Sequence, residues 1–488
     1  MMRARLTLLA ASMTSLLAGC SLAPTYHPPE FKAPVAYKEV GQWQPAVPAD
    51  AQARGDWWKS YHDAKLDQLI GQLDSANPSL ASALSHYDQA QAVEAQARSF
   101  LFPTINAAGF DTANKAFYNK PQIWNSANPI TNPQNYSQQY GGLNLNYEVD
   151  LWGQVRNTVA AERAGAEASA ADLESVRLSL RAHLANNYIS LRGLDEKTAL
   201  LKDVVLAYQK ALSLTQHRFH GGIDSALSVS RAQAQLDSVK AELVDVVASR
   251  ALYEHAIASL VGQPASVFSI APARLVMKLP VTPVGLPSQL LERRPDIASA
   301  ERKVAAANAE VGVARAAYFP TVSLGGLLGV EAVNGSQYAL APTQIWSIGP
   351  AALLTLFDGG YRKAINRQAK DVLDIATDNY RVTVLNGFQQ VEDSLSLLNN
   401  LASESKHIDA AIKDTNLTLT IAMNRYREGM VNYLEVVTAQ TALLRVSLQG
   451  LDLQTRRLQA NVDLVRALGG GYTSPQAGKN APVMVSHS

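Results

Sequence analysis

The sequence predicts a mixed α and β protein made of two copies of one unit, each joining a membrane-spanning β-hairpin to a very long helical hairpin. Three observations predict it: an internal repeat, two long proline-free intervals, and short alternating segments beside them.

The repeat rests on anchors in a fixed order. Leu101-Phe102-Pro103-Thr104 returns as Tyr318-Phe319-Pro320-Thr321, and the same shift of 217 aligns Pro78 with Pro295 and Ala97-Arg98 with Ala314-Arg315. Trp152-Gly153-Gln154-Val155-Arg156 then matches Asp358-Gly359-Gly360-Tyr361-Arg362 at a shift of 206. Arg218-Phe219-His220-Gly221-Gly222 with Leu227 matches Arg425-Tyr426-Arg427-Glu428-Gly429 with Leu434 at a shift of 207, which also pairs Ala232-Gln233 with Ala439-Gln440. The change of shift places an insertion in a loop between the first two anchors.

No proline occurs from Gln134 to Gln263 or from Ala351 to Ser474, whereas Pro264, Pro272, Pro280, Pro283 and Pro287 crowd between the halves. A proline costs a helix interior about 3 kcal/mol, so the clean intervals suit long helices and the crowded one an extended connector. In the first interval Leu173, Val176, Leu180, Leu184, Tyr188, Leu191 and Leu194 recur at helical steps, and Leu201, Val205, Tyr208 and Leu212 continue the stripe. A helix from Trp152 to about Arg218 would be about 100 Å long. A coiled-coil rod would carry the same stripe.

The segments beside the helices argue against a rod. Leu143, Leu145, Tyr147, Val149 and Leu151 alternate with Asn144, Asn146, Glu148 and Asp150, a strand with one apolar and one polar face. Its hairpin partner is expected from Thr104 to about Asp111. In the second half Val322 and Leu324 alternate with Ser323 and Gly325, with a weaker partner from Trp346 to Phe357. Phe102, Trp152, Phe319, Trp346 and Phe357 at the borders fit interfacial girdles. Four strands cannot close a membrane barrel, and open edges in lipid leave backbone groups unpaired, so two, three or four copies of the chain must share one.

Composition agrees. Among 488 residues the net charge is +1 and only 17% are charged, which gives no global field for nucleic acid. The 47% hydrophobic share is rich in Ala with 7% aromatics, suiting closely packed helices. No stretch reaches the roughly 18 apolar residues of a membrane helix. The single cysteine ends a secretory-type leader: Arg3 and Arg5, an apolar run from Leu6 to Leu17, then Leu17-Ala18-Gly19-Cys20. That box resembles bacterial lipoprotein processing sites, which implies a diacylated Cys20 as the mature N-terminus. Among such signals, Ser21 in place of Asp implies sorting to the outer membrane. The expected organisation is a lipoprotein signal peptide (1–19), a lipidated extended segment (20–56), a first repeat (57–264; β-hairpin about 104–151, helical hairpin about 152–263), a proline-rich connector (265–287), a second repeat (288–470; β-hairpin about 320–357, helical hairpin about 359–468) and a flexible tail (471–488).

Lipobox, hairpins and repeat together resemble the outer-membrane factors, the TolC- and OprM-like lipoproteins of tripartite efflux pumps, over nearly the whole mature chain. The most specific pieces are the paired Phe-Pro-Thr motifs, Glu148-Val149-Asp150-Leu151-Trp152-Gly153, Leu356-Phe357-Asp358-Gly359-Gly360, and Arg425-Tyr426-Arg427-Glu428-Gly429 leading to Tyr433-Leu434-Glu435. The resemblance implies a homotrimer with a shared twelve-stranded transmembrane β-barrel in outer-membrane lipid and a periplasmic α-helical barrel. It implies a periplasmic adaptor and an inner-membrane RND-type transporter as partners, and a duct that does no chemistry and needs no cofactor beyond the lipid. It assigns adaptor docking to the helix turns at Gly221, Gly222, Arg425, Tyr426 and Gly429, and a periplasmic gate to Leu434 and Glu435, with Thr438 where an Asp is common. It also places an Asp opposite Tyr426. Ser228 stands at that position, which weighs against a Tyr–Asp lock.

The rival function is export of a protein or peptide in a type I-like secretion system. The sequence carries no P-loop, His-Glu-x-x-His or Gly-x-Ser-x-Gly, and Gly325-Gly326 with Gly329 lacks dinucleotide-binding spacing. His217 and His220, one helical turn apart, form a weak metal candidate, read here as incidental.

Overall fold

The computed structural model describes residues 21–39, 55–115, 135–280, 282, 293–333 and 344–471. The signal peptide, Cys20, the hairpin loops and residues 472–488 lie outside them. After a short 3₁₀ turn at Trp57–Tyr61 come α1 (Ala64–Ala76), α2 (Pro78–Ser99), β1 (Thr104–Lys115), β2 (Asn135–Glu148), α3 (Gln154–His220) and α4 (Ala226–Leu260). The second repeat gives α5 (Pro295–Ala316), β3 (Thr321–Val333), β4 (Gln344–Leu353), α6 (Tyr361–Arg427) and α7 (Tyr433–Ala467). The long hairpins have equal arms, 67 and 35 residues in each repeat. At 1.5 Å per residue the longer arm measures about 100 Å.

The chain divides into two compact units. One takes residues up to Pro29, Asp88–Ala168 and Glu301–Asn379. It holds an antiparallel sheet in the order β1-β2-β3-β4. Register runs from Thr104↔Asn146 to Lys115↔Asn135, from Gln138↔Val333 to Glu148↔Ser323, and from Thr321↔Leu353 to Val330↔Gln344. Directly paired residues share a face, so Ala107, Leu143, Leu328 and Trp346 form one apolar row across all four strands, and Ile105, Leu145 and Ile348 extend it. Asn106, Asn144 and Ser347, with Leu327 between the last two, line the other face. Leu143, Leu328, Trp346 and Ile348 are exposed, so among the described residues nothing covers them.

Two strand ends differ from the sequence expectation. β2 stops at Glu148, because Asp150 turns to cap α3: its carboxylate accepts from the Val155 and Arg156 N–H groups (3.1 and 3.0 Å) and pairs with the Arg156 guanidinium (2.9 Å). Asp358 does the same for α6, accepting from Gly360 N–H and Arg362, which ends β4 at Leu353 rather than Phe357. A cap and a polar strand residue look alike in an alternating pattern. β1 also continues past Asp111 to Lys115. The repeated motifs meet where Trp152 stacks on Phe319 (4.7 Å) and donates to the Pro320 carbonyl (2.8 Å). The N-terminal segment is pinned here as well: Ser21 donates to Asn157 (2.8 Å), Asn308 to the Pro24 carbonyl (2.9 Å) and Arg315 to the Leu22 carbonyl (3.2 Å).

The other unit takes Glu30–Tyr87, Ser169–Ala300 and Tyr380 onward. Leu66, Leu69, Ile70 and Leu73 of α1 pack with Leu184, Tyr188 and Leu191 of α3, Ile257 of α4 and Val462 of α7. Burial of each large apolar side chain contributes about 1.5–3 kcal/mol. A second cluster, with Leu201, Tyr208, Leu236, Val239, Tyr426, Tyr433 and Val436, fills the interior towards the turns of both hairpins.

Candidate functional site

The two turns close in the same way. Gly222 N–H bonds the Phe219 carbonyl (3.0 Å) and Ile223 N–H reaches back to Arg218 (2.9 Å); Gly429 N–H bonds Tyr426 (3.0 Å) and Met430 reaches Arg425 (2.9 Å). This paired closure needs a left-handed residue, and Gly222 (φ 75°) and Gly429 (φ 79°) supply it. Gly221 precedes it and bonds the His217 carbonyl (2.9 Å). Ser225 and Asn432 then cap α4 and α7, accepting from Ser228 and Leu434 N–H.

Between the turns lies a buried polar knot. The Tyr426 hydroxyl, on a ring that is 1% exposed, donates to Asp224 Oδ2 (2.7 Å) and lies 3.1 Å from Thr215 Oγ1. Arg218 stacks over the Tyr426 ring (4.7 Å), with its Nε 3.8 Å from Asp224, and its Nη1 donates to the Arg427 carbonyl (3.3 Å). Tyr433 meets Tyr426 edge-on at 5.3 Å. The knot ties the end of α3 and its turn to the end of α6. Burial alone would raise the Asp224 carboxyl. Hydrogen bonds from Ser228, Tyr426 and the Ser225 N–H, with the Arg218 charge, outweigh it and hold the group below the usual carboxylate range. Burial, aided by Asp224, pushes the Tyr426 phenol up to about 12, so it stays a donor.

This corrects the reading of Ser228. The resemblance places the carboxylate partner of Tyr426 at position 228, but the turn itself provides it four residues earlier, and Ser228 supports it. The sequence offered one clue: Asp224 is the only acidic residue between Arg218 and Ser228.

Leu434, Glu435 and Thr438 lie just past the second turn. Leu434 is 46% exposed, and the Thr438 hydroxyl is turned onto the Leu434 carbonyl (2.8 Å). Glu435 faces Arg425 at 4.0 Å with both side chains about half exposed, a weak pair at the surface of one chain. Phe219, Ile223 and Met430 also stand exposed at the turns, which the helical pattern did not single out. His217 and His220 gather no further ligand: the His220 Nδ1 meets the Gln216 carbonyl (2.7 Å), and no group of three metal-ligating side chains occurs among the described residues.

The profile of the outer membrane efflux protein family matches residues 69–263 and 286–470, one segment per repeat. The chain belongs to that family. Outer membrane protein OprJ of Pseudomonas aeruginosa is 31% identical over 464 residues, covering 93% of this chain and 94% of OprJ. The probable outer membrane lipoprotein SilC of Salmonella typhimurium is 28% identical over 479 residues, covering 96% and 99%. The solved outer-membrane channel OprN superposes with a TM-score of 0.86 at 28% identity, over 92% of this chain and 99% of its own. This efflux protein therefore has the TolC-like channel fold, resides in the outer membrane, and serves as the exit duct of an efflux pump. Its apolar sheet residues Leu143, Leu328, Trp346 and Ile348 stand exposed, and its two turns are tied by buried polar bonds.

Proposed function

We propose that three copies of this chain close one twelve-stranded barrel and continue as a helical tunnel that conducts small molecules passively to the exterior. The observation that carries this is the sheet: four strands in linear order, with β1 and β4 at its edges and an apolar row crossing one face. In lipid such edges are untenable unless other copies pair with them. A periplasmic adaptor and an inner-membrane RND-type transporter supply the substrate, since the chain offers a path and no energy source. The turns at Gly221, Gly222, Arg425, Tyr426 and Gly429 carry the adaptor contact. Leu434, Glu435 and Thr438 form the periplasmic constriction, where three copies of Glu435 would gather around one axis. Cys20 carries the acyl anchor, and the bonds that pin Ser21, Leu22 and Pro24 would hold that anchor beside the sheet-bearing unit.

Native mass spectrometry of the purified protein in detergent tests the assembly. A trimer that conducts ions in planar bilayers is the expected result. A monodisperse monomer, or a trimer without conductance, would overturn it.

A further inference from the structure

A buried ion network clamps the connector to the first helical hairpin. Arg250 of α4 donates to Asp195 (2.6 Å), to Glu254 (3.0 Å) and to the Ile270 carbonyl (2.5 Å). Arg192 of α3 donates to Asp195 (2.8 Å) and to the Ala271 carbonyl (2.9 Å). The two acids in turn accept connector N–H groups, from Ala273 (3.1 Å) and Ile270 (2.5 Å). Every charge in this network meets an opposite charge or a backbone dipole.

The repeat shift of 207 sets Arg457 of α7 at the position of Arg250, but the acids are gone. Asp195 corresponds to Ala402 and Glu254 to Asn461. Arg457 keeps one bond from Nη1 to Ser405 (3.2 Å), while its Nε is buried with no partner. A guanidinium N–H left unmet in this way is costly and invites an acceptor. Beside it opens a cleft of about 350 Å³, within the range of small-ligand pockets. Met277, Ile408, Leu453 and Leu458 give it an apolar floor, and Lys278 brings a second cation. Asp409, the one carboxylate of the lining, is exposed and accepts from Ser405 (3.4 Å).

We propose that this cleft binds a small amphipathic carboxylate. The carboxylate meets Arg457 and Lys278 in charge-assisted hydrogen bonds, and the apolar body lies on Met277, Ile408, Leu453 and Leu458. Connector residues form one wall and α6 and α7 the other. The ligand thus completes in the second repeat the clamp that the first repeat closes with its own acids. The site is built from one chain's residues and does not depend on what the duct exports.

The test is calorimetric titration of the purified full-length oligomer in matched detergent with 3-phenylpropionate. The uncharged twin 3-phenylpropanol and acetate serve as controls. Saturable binding at one site per chain is expected, at least tenfold tighter than either control. Arg457→Met should weaken it tenfold or more. Ala402→Asp, which restores the first repeat's acid, should abolish binding and raise the unfolding midpoint, so an informative variant remains if Arg457→Met folds poorly. Equal binding of acid and alcohol, undiminished binding in either variant, or no saturable binding of 3-phenylpropionate would overturn the proposal.

Discussion

Replacing Tyr426 with Phe removes one hydroxyl from the tip and little else. The ring is buried between Arg218 (4.7 Å) and Tyr433 (5.3 Å), and Phe keeps both contacts. The lost bond, 2.7 Å to Asp224, ends on a charged acceptor, a class that contributes about 1.5–3 kcal/mol. Asp224 retains Ser228, the Ser225 N–H and Arg218, so the stranded acceptor adds little further cost, and the lower half of that range applies. Since 1.4 kcal/mol is a factor of ten, the opening equilibrium of each tip should rise roughly ten- to fortyfold. Three tips opening together would multiply the effect. Planar-bilayer recordings should show higher open occupancy at neutral pH, and amide exchange should quicken at residues 219–225 and 425–430. The pH dependence has a definite sign. A carboxyl held below its ordinary value contributes stability above that value and loses it only as pH falls through the folded one. Wild-type occupancy should therefore stay flat through mildly acidic pH and rise only below about pH 4. Unchanged conductance and unchanged exchange in a correctly folded Tyr426→Phe channel would refute the assignment of this knot as the tie between the hairpins.

Further outcomes concern the turns, the constriction and the leader. Val at Gly222 or Gly429 would force a branched side chain into a left-handed turn at about 1–3 kcal/mol, and should give drug sensitivity at normal outer-membrane levels. Glu435→Gln should reduce cation selectivity and divalent block while trimers still form, since its exposed pairing with Arg425 contributes at most about 1 kcal/mol; Leu434→Ala should raise resting conductance. Cys20→Ser should no longer incorporate labelled fatty acid, and equal labelling of the variant would remove the lipidation reading.

Much of this fold could be read from periodicity because its elements are long and repeated. Helices of 67 residues leave an unmistakable stripe, and equal arms in both repeats make the alignment self-checking. What the sequence blurred were element ends. Asp150 and Asp358 fit an alternating strand as well as they fit a cap, and only their bonds to Arg156 and Arg362 distinguish the two. The knot was missed for a different reason. Asp224 aligns with Val431 in the other repeat, so neither duplication nor helical spacing pointed to it. Its role depends on a turn that folds the chain back onto Tyr426, a long-range contact with no local signature. The Arg457 cleft was hidden for the converse reason: it is defined by acids that are absent from a repeat that keeps the arginine.

The duplication also separates two tasks at the tips. Position 219 in the first repeat corresponds to 426 in the second, and the two rings are used in opposite ways. Tyr426 is 1% exposed with its hydroxyl in the knot, whereas Phe219 is 41% exposed with no hydroxyl to satisfy. Nearby Ile223 is 68% exposed and Met430 59%, so both turns present apolar side chains to their surroundings, the kind of residue that marks a protein contact when it gathers in a patch. If the knot holds the channel shut and these side chains receive the adaptor, the functions should come apart on mutation. Phe219→Ser with Ile223→Ser should weaken adaptor binding by tenfold or more in a surface-immobilised assay, yet leave the conductance of the isolated channel unchanged. Tyr426→Phe should do the reverse, raising conductance while adaptor affinity shifts far less. A serine pair that opens the isolated channel, or a Tyr426→Phe channel that loses adaptor binding without opening, would mean that one set of residues performs both tasks and that the opposite burial of the aligned rings carries no division of labour.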